Sequence, residues 1–297
     1  MTSVTIGPDL DDLQRVVETA LGEDLRYGPD ATTAATVPAD AVAVAAFTAR
    51  KPGVLAGVPA VLAVLDAVLG QNGRGSDGSA RGFEVLDARS DGDRLAAGDV
   101  ALTVRAPVRG LLTAERTALN LLCHLSGVAT ATAAWVDAVT GTAARIRDTR
   151  KTMPGLRLLE KYAVRCGGGV NHRLGLGDAV LIKDNHVAAA GSVSAALAAA
   201  RSRAPGLPCE VEVDTLEQLD EVLALDAELV LLDNFSVDDT REAVRRRGDR
   251  PTQLESSGGL VLANAREYAA TGVDYLSVGA LTHSVMALDL GLDLQGS

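Results

Sequence analysis

The sequence predicts an α/β fold, with a (β/α) barrel in the second half of the chain. After residue 140, short β-branched runs alternate with helix-like segments, which is typical of a parallel sheet. Polar residues follow six of these runs, and loops from so many strand ends converge only at the C-terminal mouth of a barrel. An open sheet with its site in one crevice is the alternative. Apolar residues make up 47% of the chain and aromatic residues only 3%, so Ala, Val and Leu must fill the core.

The first part of the chain predicts mixed helix and strand. The expected elements are a helix over 10–21, strands over 41–50, 83–89 and 100–107, and a helical stretch over 111–139. A break in the last helix is expected near Ser126 and Gly127. The segment 70–82 is expected to be a loop, because its glycine-rich and polar composition cannot support a core.

The second part predicts six strands. Their ranges are 144–148, 179–183, 209–213, 229–233, 253–256 and 275–278. Thr215 begins a helix with a capping box that ends at Gln218, and Ser236 begins another with acidic residues in its first turn. We expect a first domain over residues 1–125 and a barrel domain over 126–297, whose chain end can return to the first domain.

The charge of the chain limits its partners. A net charge of -11 excludes nonspecific binding to nucleic acid or to an anionic membrane. Cations nevertheless gather between Arg145 and His186, which indicates a pocket for a small polyanion.

Cysteine usage and the N-terminus indicate a cytoplasmic protein. Cys123, Cys166 and Cys209 lie far apart, without metal-ligand spacing, and their odd number does not make a disulfide framework. The N-terminal residues show neither a basic region nor an apolar signal core, so we expect a soluble protein in a reducing compartment.

Four cations follow predicted strands or turns. Arg150 and Lys151 end one strand, Arg173 follows a glycine turn, and Lys183 ends an apolar run. Arginine binds carboxylates bidentately, and lysine offers phosphate a point charge. Surface ion pairing is the alternative, but it explains Lys183 poorly, because charged groups at buried strand ends are rare unless they are used.

Carboxylates follow the next two strands. Glu210, Glu212 and Asp214 share one strand face because strand side chains alternate, and Asp233 ends the neighbouring strand. Two such carboxylates suit Mg²⁺ bound jointly with substrate phosphates. They are equally suited to be ion-pair partners of the lysines, and the sequence leaves both possibilities open.

Glycine turns and histidines complete the candidates. The turns 256–259 and 277–280 each follow a strand and precede a helix, so their backbone amides can bind phosphate. His124 lies in an apolar helix and is expected in the core. His172 and His283 are plausible ligand contacts, and His186 is undecided.

These motifs closely resemble those of the quinolinate phosphoribosyltransferase family. The resemblance runs from Arg145 to His186 and includes the segments 115–120, 210–214, 232–235, 255–259 and 277–283. It implies a small N-terminal α/β sandwich domain on an incomplete (β/α) barrel, working as a homodimer. The implied reaction joins quinolinate to the phosphoribosyl group of 5-phosphoribosyl pyrophosphate with Mg²⁺, releasing nicotinate mononucleotide, pyrophosphate and CO₂ in NAD synthesis.

The resemblance also implies roles for matching residues. Quinolinate carboxylates would be bound by Arg150, His172, Arg173, Lys183 and Arg116 of the partner subunit. Lys151 and Lys183 would also serve the phosphoribosyl donor, and Glu212 and Asp233 would hold Mg²⁺ and the ribose hydroxyls. These last four are the expected catalytic residues. Donor phosphate would be bound by the turns that contain Ser257, Gly258, Gly259, Val278, Gly279 and Ala280, together with His283. Thr149 is a further expected substrate-binding residue.

Three alternatives stay open at this point. A related transferase with a monocarboxylate acceptor such as nicotinate would need fewer cations than the set formed by Arg150, His172 and Arg173. A Schiff-base lyase would use Lys183 as its nucleophile and leave the other charges without a role. A catalytically silent binding protein would not need the carboxylates and lysines that the chain retains.

Overall fold

Helices and strands alternate along the residues that the computed structural model describes, 7–70 and 82–295. The helices are α1 Leu10–Asp24, α2 Ala31–Thr36, α3 Val58–Leu69, α4 Val108–Ala138, α5 Arg157–Cys166, α6 Asp184–Ala190, α7 Val193–Arg203, α8 Leu216–Ala224, α9 Val237–Arg247, α10 Ala265–Ala269 and α11 Ala280–His283. The strands are β1 Val42–Ala49, β2 Gly53–Val54, β3 Glu84–Ala88, β4 Arg94–Leu95, β5 Val100–Pro107, β6 Arg145–Arg147, β7 Val180–Ile182, β8 Cys209–Val213, β9 Leu229–Asp233, β10 Gln253–Ser257, β11 Tyr275–Ser277 and β12 Leu290–Gln295.

The chain divides into two units. The N-terminal unit comprises residues within 1–131, 153–168 and 284–297, and the barrel unit comprises 132–152 and 169–283. The segment 153–168 thus belongs to the first unit, although the sequence boundary after residue 125 assigns it to the barrel domain. The predicted loop lies, from 71 to 81, outside the described residues.

An antiparallel sheet forms the N-terminal unit. Its strand order is β12-β1-β5-β3, so the end of the chain pairs with the first strand. Because side chains alternate between the two faces of a strand, β1 and β5 bury Phe47, Leu102 and Val104. The sequence predicted β1, β3 and β5, the three strands of this sheet that precede α4, because each is a β-rich run bounded by turn residues.

Helix α4 continues without interruption from Val108 to Ala138, so the predicted break near Ser126 and Gly127 is wrong. A side chain at Gly127 would lie 2.4 Å from the carbonyl oxygen of Met286, so the glycine permits a close backbone approach inside a continuous helix. Ser126 exchanges hydrogen bonds with the backbone of Ala56. Both residues therefore serve packing.

By length and composition, α4 alone among the described helices could cross a membrane. However, 61% of its most apolar window is buried inside the protein, and the core helix of a soluble protein passes the same test. The length of α4 is therefore weak evidence for a membrane span.

Six parallel strands form the barrel unit, in the order β6-β11-β10-β9-β8-β7. Val170 adds a parallel bridge to Arg147 on the outer side of β6. Arg147 Nη1 lies 4.0 Å from Glu210 Oε1 on β8, four strand positions away. In a flat sheet these strands would be roughly 19 Å apart, so the sheet must curl around these side chains. Within the described ranges no pairing joins Val170 to β7, and the barrel is therefore incomplete.

Two helix starts of this unit match the sequence. Thr215 accepts a hydrogen bond from the Gln218 amide, and Ser236 accepts one from the Asp239 amide. The Gln218 side chain accepts from the backbone of Asp214, one residue before the cap. These caps fix where the chain turns from strand into helix at the barrel mouth.

Candidate active site

Strand register brings the predicted site residues to one interior face. Asp233 pairs with Ser257, and Glu212 pairs with Leu231, two residues before Asp233. Because paired residues of neighbouring strands point to the same face, Glu212, Asp233 and Ser257 all face the barrel interior at its C-terminal mouth. Lys183 follows β7 on the same face.

Lysine and carboxylate side chains meet at this mouth. Lys183 Nζ pairs with Glu212 Oε2. Burial raises the pKa of Asp233, Lys183 and Lys151 oppose that shift, and the negative charge of Asp214 adds to it. The lysines therefore lie near both carboxylates. The sequence left open whether Glu212 binds Mg²⁺ or pairs with a lysine. In the structure Glu212 forms an ion pair with Lys183.

A second group surrounds Gly279. A side chain on this glycine would approach Lys151 Cδ at 3.0 Å, His283 Nε2 at 3.3 Å and Thr149 Oγ1 at 3.5 Å. Thr282 Oγ1 donates to the carbonyl of Lys151 at 2.7 Å and fixes this turn against the loop after β6. Lys151, Thr149 and His283, which are all predicted to bind substrate, are therefore together around the half-buried Gly279.

The other glycine turn follows β10. Gly258 and Gly259 both have left-handed backbone angles, with φ of 84° and 63°. A side chain on Gly258 would overlap Asn234 Oδ1 at 2.2 Å. Asn234 itself has φ of 55° and donates from Nδ2 to Asp233 Oδ2 at 2.7 Å. Asn234 thus links the Asp233 carboxylate to the glycine turn.

Two arginines carry unsatisfied donors. Among the described residues, Nε of Arg150 and Nε of Arg173 are both buried without a hydrogen-bond partner. Burial lowers the pKa of Arg173, and the positive charge of Arg150 lowers it further, so the two guanidinium groups lie close together. Adjacent like charges with free buried donors are suited to an anion that satisfies both.

Beneath the mouth lies a charged layer that joins His172, a predicted site residue, to Arg147, Glu210 and Glu255, which were not among the predicted site residues. Arg147 pairs with Glu255, and His172 Nε2 lies 2.9 Å from Glu210 Oε2. Burial raises the pKa of Glu210 and of Glu255 to about 7. For Arg147, the two carboxylates outweigh burial and raise its pKa. Charged residues at alternate positions of β6, β8 and β10 were the sequence signal for this layer.

A cavity of about 230 Å³ adjoins this layer. Its lining includes Arg147, His172, Arg173 and Glu210, together with residues at the N-terminal ends of β8 to β11. His172 and Arg173, two predicted acceptor-binding residues, therefore line a cavity near the N-terminal ends of the strands, whereas Lys183 and Asp233 lie at the C-terminal mouth.

The remaining candidates lie elsewhere. His186 caps α6, accepting a hydrogen bond from the Lys183 amide, and His124 pairs with Glu160 in the N-terminal unit, 2.8 Å apart. Arg116 is exposed on α4 in the N-terminal unit. Val278 is buried and donates its backbone N–H to Arg147.

Comparison with known proteins identifies the family. A family model described as the quinolinate phosphoribosyl transferase C-terminal domain matches residues 128–293, and the corresponding N-terminal domain matches 30–126. The chain belongs to the quinolinate phosphoribosyltransferase family. This membership confirms the expected fold, an incomplete α/β barrel with a smaller α/β domain.

Individual relatives of the family cover almost the whole chain. A Mycobacterium leprae (strain TN) protein named nicotinate-nucleotide pyrophosphorylase (carboxylating) is 63% identical over 288 residues, covering 96% of this chain and 98% of that protein. An Arabidopsis thaliana chloroplastic protein of the same name is 37% identical over 302 residues, covering 95% and 83%. The solved structure of the Francisella tularensis nicotinate-nucleotide pyrophosphorylase is 37% identical, with a TM-score of 0.90, and covers 99% of this chain and 100% of that one.

Proposed function

We propose that this protein transfers the phosphoribosyl group of 5-phosphoribosyl pyrophosphate to quinolinate with decarboxylation, giving nicotinate mononucleotide, pyrophosphate and CO₂. The proposal rests on one observation. The barrel unit of this family member contains two arginines with free buried donors, two lysines, two carboxylates and two glycine turns. A dianionic acceptor and a pyrophosphate donor together require such a set.

The acceptor is assigned to the cations. Arg150 and Arg173 each offer a buried Nε–H, and Lys183 contributes a third positive charge at the mouth. Bidentate arginine binding would fix the plane of the acid and aim its ring nitrogen at the ribose. His172 belongs to this group by sequence, and it directly precedes Arg173 in the chain.

The donor is assigned to the turns. Lys151, Thr149 and His283 surround the half-buried Gly279, and their donors are suited to the 5-phosphate. The turn from Ser257 to Gly259 offers further backbone amides, and Val278 and Ala280 flank Gly279. The ribose hydroxyls would lie against Glu212 and Asp233.

The carboxylates fit a magnesium ion. Glu212 and Asp233 are hard oxygen donors on adjacent strands, and burial, to which the charge of Asp214 adds, raises the pKa of Asp233, so a cation there would stabilise its ionised form. Mg²⁺ held there with the donor phosphates would offset the charge of the leaving pyrophosphate.

The protein's own groups support each change of charge. As the bond from ribose C1 to pyrophosphate breaks, positive charge develops on the ribose, and Glu212 and Asp233 stabilise it. The ring nitrogen of quinolinate then bonds to C1 and becomes a pyridinium. That positive ring accepts the electron pair left when the 2-carboxylate departs as CO₂, and the carbon takes up one proton.

We also propose a cytoplasmic homodimer. Arg116 is exposed in the N-terminal unit and would complete the acceptor site of the partner subunit. The three cysteines are unpaired, which suits a reducing compartment. Mixing an Arg116→Ala protein with a Lys183→Ala protein should restore activity at hybrid sites, and no recovery would contradict shared sites.

The other chemistries receive less support. Lys183 pairs with Glu212 and is 45% exposed, whereas a Schiff-base lysine requires a dry apolar pocket. A nicotinate acceptor would leave one of the two arginines Arg150 and Arg173 unsatisfied. Mass spectrometry of reactions with quinolinate or nicotinate, each with donor and Mg²⁺, separates these acceptors. Nucleotide product from nicotinate alone would overturn the quinolinate assignment.

A further inference from the structure

A buried histidine–glutamate pair lies directly beside Arg173. His172 and Glu210 have side chains only 7% and 5% exposed, and His172 Nε2 lies 2.9 Å from Glu210 Oε2. The other ring nitrogen, Nδ1, lies 2.7 Å from the backbone nitrogen of Arg173. Both nitrogens of the imidazole are therefore engaged within the protein.

The partners of the ring fix its tautomer. A backbone N–H can only donate, so Nδ1 of His172 must present its lone pair to Arg173. A neutral imidazole then carries its hydrogen on Nε2, where Glu210 accepts it. The Arg173 amide thereby fixes the tautomer, Glu210 fixes the rotation of the ring by accepting from Nε2, and the ring in turn holds the backbone of Arg173.

The preceding backbone is held independently. Asp148 Oδ1 accepts from the amide of His172 at 2.7 Å, and Asp148 Oδ2 accepts from Asn171 Nδ2 at 2.6 Å. Asp148 directly follows β6, so the segment is anchored to a barrel strand. Glu210 therefore controls the ring of His172 and the direction in which the chain continues to Arg173, while Asp148 keeps the segment in place.

We infer that Glu210 is a positioning residue for acceptor recognition, acting through His172 to aim the guanidinium of Arg173 at a carboxylate of the acid. Arg173 Nε is buried without a hydrogen-bond partner among the described residues, so its alignment decides whether a bound carboxylate can satisfy it. The inference rests on the proposed function, because it assumes that Arg173 binds the acceptor. Glu210 itself touches no substrate in this scheme.

Full-length variants of Glu210 test the inference. Glu210→Ala leaves Nε2 without its acceptor, and Glu210→Asp shortens the acceptor by one methylene. Both should weaken quinolinate binding by about tenfold or more, measured by calorimetry without donor, and raise KM for quinolinate equally. KM for the donor should stay within about twofold, because its binding residues belong to other loops. Glu210→Gln retains an oxygen acceptor and should recover most of the affinity.

A matched pair provides the control. His124 and Glu160 form a second histidine–glutamate contact, at 2.8 Å, with Glu160 fully buried in the N-terminal unit. Glu160→Ala should lower the melting temperature without separating the two KM values. Unchanged quinolinate affinity in soluble Glu210→Asp, or equal losses for donor and acceptor, would overturn the positioning role. Wild-type protein that binds quinolinate without releasing CO₂ would overturn the proposed reaction instead.

Discussion

Substituting Gly127 by alanine sets two opposite effects against each other. In a helix interior, Gly→Ala stabilises by about 1 kcal/mol. The new Cβ would, however, lie 2.4 Å from the carbonyl oxygen of Met286 and 3.0 Å from Ala287 Cα. These are backbone atoms, so the segment that leads into β12 must shift to admit the new side chain. Overpacking of this kind costs about 1–3 kcal/mol. We therefore expect a net destabilisation of about 1 kcal/mol.

Gly22 in α1 provides the matched comparison. A side chain there meets nothing within 4 Å, so Gly22→Ala should stabilise by about 0.5–1 kcal/mol. Urea unfolding followed by the fluorescence of Trp135, the single tryptophan, reports on α4. A Gly127→Ala protein as stable as the wild type, or more stable, would refute the argument that the glycine permits backbone contact.

Three further predictions concern the barrel. Burial raises the pKa of Glu255 and of the neighbouring Glu210 from 4.5 to about 7, so the folded state holds extra protons between these values and loses stability as pH rises from 5 to 8. Glu255→Gln removes one of the two carboxyl groups and should reduce that loss, measured by urea midpoints, whereas curves parallel to those of the wild type would contradict the prediction. Asn234→Gly keeps the left-handed backbone but removes the hydrogen bond to Asp233. The KM for the donor should therefore rise while the free energy of unfolding changes little. An unchanged KM for the donor would show that Asn234 does not position Asp233. Arg173→Ala removes a buried donor assigned to the acceptor, so it should raise the KM for quinolinate about 30-fold and the KM for the donor far less. Equal increases in the two KM values would contradict the acceptor assignment.

The sequence predicted the strands of the barrel and the residues at its mouth, because both depend on local pattern. Lys183 directly follows β7, Glu212 lies one residue before the end of β8, and Asp233 ends β9, and parallel strands bring their ends to one edge. Any curled parallel sheet with this strand order gathers those side chains. The grouping of Lys151, Gly279 and His283 follows in the same way.

Local pattern places Arg147, Glu210 and Glu255 on strand faces, but it does not show that they meet. Arg147, Glu210 and Glu255 lie on strands two and four positions apart, so their contact depends on how tightly the sheet curls. The sequence also could not predict that α4 is continuous, because glycine weakens a helix on average. Only the close approach of the Met286 backbone explains why a glycine stands at position 127. Tyr162 on α5 donates to Asp91 at 2.5 Å, which is why a helix that follows a barrel strand belongs to the N-terminal unit.

Release of CO₂ from carboxyl-labelled quinolinate, measured together with release of pyrophosphate from the donor, tests the central claim most directly. With the protein, donor, Mg²⁺ and quinolinate, the two products should appear in equal amounts, and neither should appear without the donor. The same reaction with nicotinate should yield no pyrophosphate, because one carboxylate cannot satisfy both Arg150 and Arg173. Pyrophosphate release without CO₂, or release that does not require the donor, would contradict decarboxylating phosphoribosyl transfer.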